Sequence, residues 1–280
     1  MKKLFFAASI LATTSLSAWA ADMPVKAPIA SPYNWTGFYL GANVGGGWGN
    51  RNVNFSANDP AAAAVFDPAV GGAPPSTSFK SSGALGGLQF GYNWQFNRNW
   101  LVGMETDFDW SGVKGSGSST GAFQGAVPFT ATEDERIKWF GTVRARLGYL
   151  PMDTVLTYIT GGFAYGRVDR SGSYVNNSTL AGFGSGPVGG FGVACATTAT
   201  CFSGSSSNVN TGWTVGAGFE YAILKNITLK AEYLYVSLGN KSLTETALVT
   251  GGGGVAPASF NVNYGNSNFN VARVGVNYRF

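Results

Sequence analysis

Charged side chains two residues apart are the groups in this sequence whose types and spacing could support chemistry. Glu105, Asp107 and Asp109 alternate along one segment, and Arg144 and Arg146 alternate along another. Neighbouring carboxylates can act as general acid and base or hold a calcium ion. The acidic segment, however, lacks the glycine and the distal glutamate of a calcium loop. Because buried charges are very costly unless they are paired, we favour a structural network of salt bridges over a chemical site.

The sequence contains no histidine. This excludes Ser–His–Asp and Cys–His nucleophile systems, HExxH zinc sites and histidine-ligated haem. The glycine run 251–254 lacks the Gly-Lys-Ser/Thr context of a phosphate-binding loop. We therefore predict that the protein is not an enzyme and that it has no catalytic residues, no metal site and no cofactor.

The charged residues lie in segments in which apolar side chains recur at every second position, the period of a β-strand. We count eight such runs, which begin near Trp35, Gly83, Trp100, Ile137, Thr154, Thr211, Ile227 and Asn268. Tight turns at 97–99, 150–153 and 223–226 alternate with segments rich in Gly and Ser that we predict to be long loops: 49–82, 113–136, 171–210 and 240–267. Each run is long enough to cross a bilayer as a tilted strand. The pattern predicts an all-β fold, an eight-stranded antiparallel up-and-down transmembrane β-barrel.

The alternation also predicts which face each side chain occupies. One set is bulky and aromatic and the other is charged or glycine, which is typical of a lipid-facing wall around a polar lumen. In the fourth run this rule places Ile137 outside and Lys138 inside, and in the fifth run (154–170) it leaves the faces open. The predicted lumen charges are Glu105, Asp107, Asp109, Arg144, Arg146, Glu220, Lys230, Glu232, Arg273 and Arg279.

Aromatic residues cluster near both ends of the predicted strands, as expected for the two membrane interfaces. The outer set is Trp48, Trp110, Trp139, Trp213 and Tyr235, and the inner set is Phe96, Trp100, Tyr149, Tyr221 and Phe280. Charged residues make up only 11% of the chain, less than half of the roughly 25% usual in soluble proteins. A wall covered by lipid accounts for this deficit.

The first twenty residues have the basic start, short apolar run and Ala-x-Ala ending of a bacterial secretory signal. We predict a signal peptide at 1–20 with cleavage between Ala20 and Ala21, a proline-containing periplasmic lead-in at 21–34 and a barrel domain at 35–280. Removing Lys2 and Lys3 lowers the formal net charge from +4 to +2. The basic character is therefore slight, and we predict no nucleic-acid partner.

Two features lie in the predicted loops. Cys195 and Cys201 are close in sequence, and export to an oxidising compartment favours a local disulfide over a redox or metal site. The dense acidic run Glu133-Asp134-Glu135 is interpreted mainly as a solvated loop face. A site for calcium or for cations that bridge lipopolysaccharide is the alternative.

Eight segments, taken in order, resemble the porin-like, OmpA-membrane-domain-like outer-membrane proteins of alpha-proteobacteria, of the RopB and immunogenic surface-antigen type. They are WTGFY at 35–39, GYNW at 91–94, GMETDF at 103–108, GTVRARLGY at 141–149, GGFAYG at 161–166, GWTVGAG at 212–218, KAEYLY at 230–235 and VNYRF at 276–280. The resemblance implies an outer-membrane location in a Gram-negative bacterium, a role in envelope integrity, and contact with outer-membrane lipid and lipopolysaccharide. Tyr278 and the terminal Phe280 resemble the signal that the barrel assembly machinery reads. Self-association stays open.

The favoured function is therefore a structural, surface-exposed barrel whose lumen is plugged by charged residues. Eight strands leave an interior that side chains just fill. The alternatives are a small-solute porin-type channel and a binder of haem or of a host or phage ligand through the loops. Some relatives are described as haem-binding or as porins.

Overall fold

A computed structural model of the chain describes residues 33–65, 69, 76–123, 127–178, 198–248 and 259–280. The predicted signal peptide, its cleavage site at Ala20 and Ala21, and the lead-in up to residue 32 lie outside these ranges. The elements are β1 (Gly37–Ala57), α1 (Pro60–Val65), β2 (Thr77–Gln95), β3 (Trp100–Ser111), β4 (Lys114–Phe123), β5 (Val127–Met152), β6 (Val155–Asn176), β7 (Thr200–Ala222), β8 (Ile227–Leu238), β9 (Leu243–Ala247), β10 (Ser259–Asn263) and β11 (Ser267–Arg279).

The strands form one antiparallel sheet that closes on itself. Strand β1 pairs with β2 on one side and with β11 on the other, and the order between them is β3, β5, β6, β7 and β8. Strand β4 prolongs β3 beside β5, β9 prolongs β8 beside β7, and β10 extends the β11 side of the ring beside β1. The all-β barrel prediction is confirmed. Its eight runs correspond to eleven strand segments because three ring positions are interrupted.

The strands extend much further than the sequence pattern predicts. Strand β1 continues to Ala57, β5 begins at Val127, β6 reaches Asn176 and β7 begins at Thr200. Part of each of the four segments predicted to be long loops is therefore β-structure, and the prediction is wrong for those parts.

The sequence pattern misses these added strand parts, which together we call the extension, because the polarity of the two faces of the wall reverses there. There the inward side chains are apolar and buried, as Val53, Phe79, Phe129 and Phe260 are, whereas the outward ones are polar. Polar residues outside and bulky apolar side chains inside are the arrangement expected of a wall that faces water, as in a soluble domain. A sequence search that requires apolar residues on the outer face therefore does not find these strand parts.

A β-bulge in β5 overturns two face predictions. The register with β6 shifts between Ile137 and Trp139, which adds one residue to β5. Ile137 is consequently buried inside, and Lys138 points outward to Asp169, at 3.5 Å. Both residues were predicted on the opposite faces, because one inserted residue inverts the alternation of everything beyond it.

The faces of β6, which the sequence leaves open, are settled by the sheet. Ile159 and Phe163 are exposed on the outer wall. Tyr158, Thr160 and Ala164 are buried in the interior. The frequent glycines in this strand obscure the alternation in the sequence.

Aromatic side chains ring the outer wall at two levels. Trp110 lies opposite Trp139 in the β3–β5 pairing. At the other end, Trp100 lies opposite Tyr149 with ring centroids 5.1 Å apart. We call the wall between these levels the spanning part. Within the described ranges, no helix is both long and apolar enough to cross a membrane.

Candidate functional site

The ten predicted lumen charges all lie inside the ring. Each is 5% exposed or less. They project from β3, β5, β7, β8 and β11, the strands on which the alternation is clearest. Nine of the ten form one connected group of ion pairs. We call these nine the lumen network: Glu105, Asp107, Asp109, Arg144, Arg146, Glu220, Lys230, Glu232 and Arg273.

Arg144 is at the centre of the lumen network. Its Nη2 lies 2.5 Å from Glu105 Oε1 and 2.8 Å from Asp107 Oδ2, and its Nη1 lies 3.0 Å from Glu232 Oε1. The Nε donates a hydrogen bond to Thr142 Oγ1 at 2.9 Å. One guanidinium therefore joins carboxylates from β3 and β8 across the interior, which its planar fork of donors makes possible.

Arg273 makes a second set of contacts from β11. Its Nη2 is 2.6 Å from both Asp107 Oδ2 and Glu232 Oε2, and its Nη1 is 2.7 Å from Asp109 Oδ2. Asp107 and Glu232 are thus each held by two arginines.

The side of the lumen network nearer the short turns is formed by Arg146 and Lys230. Arg146 Nη2 lies 2.7 Å from Glu220 Oε1, and Lys230 Nζ lies 2.6 Å from Glu105 Oε1. Arg146 also contacts Glu105 at 3.3 Å, which connects Glu220 to the rest.

Two tyrosines complete the network, and the sequence analysis missed them. Tyr39 donates to Glu105 Oε2 at 2.7 Å, and Tyr158 donates to Glu232 Oε1 at 2.9 Å. Each ring lies against a glycine of the neighbouring wall: a Cβ at Gly91 would collide with Tyr39, and one at Gly218 with Tyr158. These inward glycines beside an aromatic residue are the signal that could have revealed them, because they leave space for a large side chain.

Arg279 lies apart from the lumen network. It donates to the Asn34 carbonyl at 3.2 Å, and its guanidinium lies 5.0 Å from the centre of the Trp35 ring. Among the described residues, no carboxylate oxygen comes within 4.0 Å of it. Trp35 is fully buried and donates from Nε1 to the Asp153 carbonyl at 2.9 Å, so these residues cover the interior at the end with the short turns.

The arrangement suits structural pairing better than proton transfer or metal binding. The carboxylates of the lumen network are occupied by guanidinium and ammonium groups, and side-chain exposure is 2% or less throughout. Within the described part of the chain, no group of three or more His, Cys, Asp and Glu side chains is arranged to hold a metal ion. A buried pair of this kind is costly to break, since each lone charge would be left without compensation.

Apolar layers lie on both sides of the lumen network. The layer nearer the short turns contains Trp35, Leu101, Leu150, Leu156, Tyr158 and Ala222. The other contains Leu85, Val113, Ile137, Phe140, Ala164, Val168, Leu234, Val236, Leu238, Phe269 and Val271. Strand β5 gives their order, since it carries Leu150, then the two arginines, then Phe140 and Ile137.

A second ionic layer lies beyond these, in the extension. Glu135 pairs with Arg51 and, at 3.0 Å, with Arg170, which also donates to Ser267 Oγ at 2.7 Å. Glu135 and Glu133 are buried, whereas Asp134 between them is exposed. The interpretation of this acidic run as a solvated loop face is therefore wrong for its two glutamates. The run is a strand, so alternate members face inward.

Glu133 forms a carboxyl pair with Glu245 of β9 within the outermost apolar layer. Burial, together with the adjacent Glu133, raises the pKa of Glu245 to about 9. Burial likewise raises the pKa of Glu133 to about 7, although a hydrogen bond from Tyr264, at 2.5 Å, opposes the shift. The pair retains a proton at neutral pH, with Glu245 as the donor to Glu133.

The remaining predicted sites lie at the ends of the strands. Cys201 is buried at the start of β7, but Cys195 lies outside the described residues, so the disulfide stays a prediction. Tyr278 and Phe280 are exposed on the outer wall with ring centroids 5.3 Å apart. Their recognition by the assembly machinery also stays a prediction.

Comparison with known proteins places the chain in a family. The family described as "Outer membrane protein beta-barrel domain" matches residues 6–280. The 31 kDa outer-membrane immunogenic protein of Brucella melitensis is 37% identical over 98% of both chains. The 22 kDa outer membrane protein of Rhizobium leguminosarum is 28% identical over 77% of this chain and 70% of its own.

A solved structure, the outer membrane protein OprG from Pseudomonas aeruginosa, aligns with a TM-score of 0.45 and 13% identity over 88% of this chain and 97% of that one. The family match and the Brucella relative carry the assignment, and they agree with the closed barrel and its two aromatic levels. The chain belongs to the outer-membrane β-barrel family of alpha-proteobacteria, and its location is the outer membrane of a Gram-negative bacterium.

Proposed function

We propose that the protein is a structural, surface-exposed barrel that supports envelope integrity, and that it neither conducts solutes nor catalyses a reaction. The observation that carries this proposal is the position of Arg144. It joins three carboxylates from two strands in the middle of the lumen, and all four side chains are 2% exposed or less. An open channel would hydrate such groups.

The stacking of layers supports the same conclusion. An ion or sugar that crossed the barrel would meet an apolar layer, the lumen network, a second apolar layer, the Arg51–Glu135–Arg170 cluster and a third apolar layer. Separating one buried charge pair costs about 3–5 kcal/mol. Several pairs would have to separate together for passage.

Solute flux tests the closed lumen. Refolded protein is reconstituted into liposomes, and stopped-flow swelling is followed with arabinose as the permeating sugar. We expect the swelling rate of protein-free liposomes. A general porin reconstituted at the same protein-to-lipid ratio is the positive control, and swelling above the protein-free rate would contradict the proposal.

Envelope integrity requires a test in the cell. Deletion of the gene is expected to increase uptake of a hydrophobic fluorescent dye, because outer-membrane packing is weakened. Expression of the wild-type chain from a plasmid should reverse the increase. Unchanged dye uptake in the deletion strain would count against the structural role.

A further inference from the structure

A row of polar side chains crosses the outer wall of the barrel just beyond the outer aromatic level. Strand pairing aligns Lys114 of β4 with Arg136 of β5, Arg136 with Asp169 of β6, and Asp169 with Ser207 of β7. Lys114, Arg136 and Ser207 are exposed and Asp169 is partly exposed. The row is therefore accessible from outside the barrel.

Lys114 and Arg136 are like charges directly opposite each other, an arrangement that destabilises a sheet. Among the described residues, no carboxylate oxygen lies within 4.0 Å of either cation. The nearby Asp169 is already engaged, by Lys138 at 3.5 Å and by Arg167 at 3.3 Å, and it accepts a hydrogen bond from Ser207. An anion between Lys114 and Arg136 would offset their repulsion.

The surface around these cations forms a groove. Its volume is about 740 Å³, and its lining includes Lys114, Ser116, Asp134, Arg136, Ser171 and Ser205. Small serines between the charged residues leave room and offer hydroxyl groups for hydrogen bonds. The charges that line the groove balance, since Lys114, Arg136 and Arg170 face Asp134, Glu135 and Asp169, and the buried Arg170 and Glu135 pair with each other. A positive excess arises only beside the groove, where Lys138 and Arg167 add two cations.

The height of the groove indicates what it binds. Lys138 is adjacent to Trp139 in the chain, and Arg167 is the cross-strand partner of Trp139. Arg136 lies further from the membrane than Trp139 by two strand steps, because the bulge takes up one of the three intervening residues, and this corresponds to roughly 5–7 Å along a tilted strand. This distance fits the polar head-group layer that borders the hydrocarbon core. Near Trp48, the outward positions Asn50 and Asn270 are uncharged, whereas Lys80, the cross-strand partner of Asn50, is an exposed cation.

We propose that Lys114 and Arg136, assisted by Lys138 and Arg167, form a binding site for the phosphate groups of an outer-leaflet glycolipid, the lipid A part of lipopolysaccharide. Basic clusters beside a membrane bind anionic head groups, and arginine matches phosphate with two parallel hydrogen bonds. The acyl chains would lie against the apolar outer wall below the groove. This site adds a specific lipid contact to the structural role proposed above and does not depend on a closed lumen.

Binding of purified lipid A to the refolded full chain in detergent micelles tests the site. The double variant Lys114→Gln/Arg136→Gln is expected to weaken binding of diphosphoryl lipid A by about 10- to 30-fold, since two phosphate-pairing cations are lost. The matched control, Arg98→Gln/Lys225→Gln, removes two exposed cations from the turns at the other end of the barrel and should bind like the wild type. Enzymatically dephosphorylated lipid A should bind all three proteins equally weakly.

Three outcomes would overturn the proposal: an unchanged Kd for the double variant, an equal loss in the control, or equal binding of phosphorylated and dephosphorylated lipid A. Folding of each variant is checked by its mobility on a gel without heating. If the double variant folds poorly, Lys114→Gln and Arg136→Gln are measured singly. Each is then expected to weaken binding by about three- to fivefold, and an unchanged Kd for both would equally overturn the proposal.

Discussion

At the residue scale, the interior charges are recognisable from the sequence but their partners are not. Glu105, Asp107 and Asp109 share the inward parity of β3, so their burial follows from alternation alone. Which arginine meets which carboxylate depends on how far each strand is displaced along its neighbour. Arg273, for example, reaches Asp109 from a strand 164 residues further along the chain.

Replacement of Arg144 tests the energetic weight of the lumen network. Arg144→Ala leaves Glu105, Asp107 and Glu232 with fewer cations, so we expect a loss of about 3–5 kcal/mol in the free energy of unfolding. Urea unfolding followed by tryptophan fluorescence in micelles measures this loss. Arg98→Ala, in an exposed turn, is the control and should change stability by less than about 0.5 kcal/mol. Equal effects of the two substitutions would refute the importance of the network.

The carboxyl pair in the extension predicts a dependence of stability on pH. The pKa values of about 7 for Glu133 and about 9 for Glu245 exceed the ordinary carboxyl value of 4.5. Between pH 4.5 and 9, therefore, the unfolded chain releases protons that the folded pair retains, and a rise in pH destabilises the fold. Tyr264 and Tyr174 also face the pair, but burial raises both of their pKa values, so they stay neutral in this range.

Glu245→Gln removes the group with the higher pKa, so the variant has one proton fewer to release on unfolding. We expect the variant to lose less stability than the wild type between pH 5 and pH 8, by on the order of 1–3 kcal/mol, because each unit of pKa shift corresponds to about 1.4 kcal/mol. Asp153→Asn, in an exposed turn at the other end of the barrel, is the control and should follow the wild type. Identical pH profiles for Glu245→Gln and the wild type would show that the pair is not protonated as described.

At the element scale, two features separate the observed strands from the predicted ones. The bulge at Lys138 exchanges the faces of Ile137 and Lys138, and nothing in the local sequence marks it. The extensions reverse the polarity of the wall, so Phe129 and Phe260 point inward where the spanning part has charges inside. The alternation of apolar and polar residues predicts the face of each side chain correctly where a strand is surrounded by one solvent throughout. It predicts the wrong face, or no strand, where the strand passes from lipid into water.

Deletion of Lys138 tests whether this residue is the extra one in the bulge. Ile137 and Phe140 face inward whereas Lys138 and Trp139 both face outward, so removal of Lys138 restores simple alternation and leaves every other side chain on its face. We therefore expect the deletion variant to fold, seen as a retained mobility difference between heated and unheated samples on a denaturing gel. Deletion of Thr142, in the regular part of the same strand, is the control: every side chain on one side of it would change faces, so the folded form should be lost. Loss of the folded form on deletion of Lys138 would contradict this assignment of the bulge.

At the scale of the whole molecule, the barrel combines two architectures along one axis. The spanning part has an apolar wall and a charged interior, whereas the extension has a polar wall and an apolar interior. The sequence predicts the first because bulky outward residues and inward charges alternate so clearly. It hides the second because the outward positions of the extension, such as Asn50 and Ser82, have the composition of a loop. The closed lumen proposed above rests on the burial of the inward side chains in both parts.

Electrical recording across a planar lipid bilayer is the most direct test of this closed lumen. Refolded wild-type protein in potassium chloride, held at moderate voltages of both signs, is measured for single-channel events after insertion has been verified. The closed barrel predicts a flat baseline without discrete steps. Reproducible steps of uniform size, in proportion to the amount of inserted protein, would contradict it.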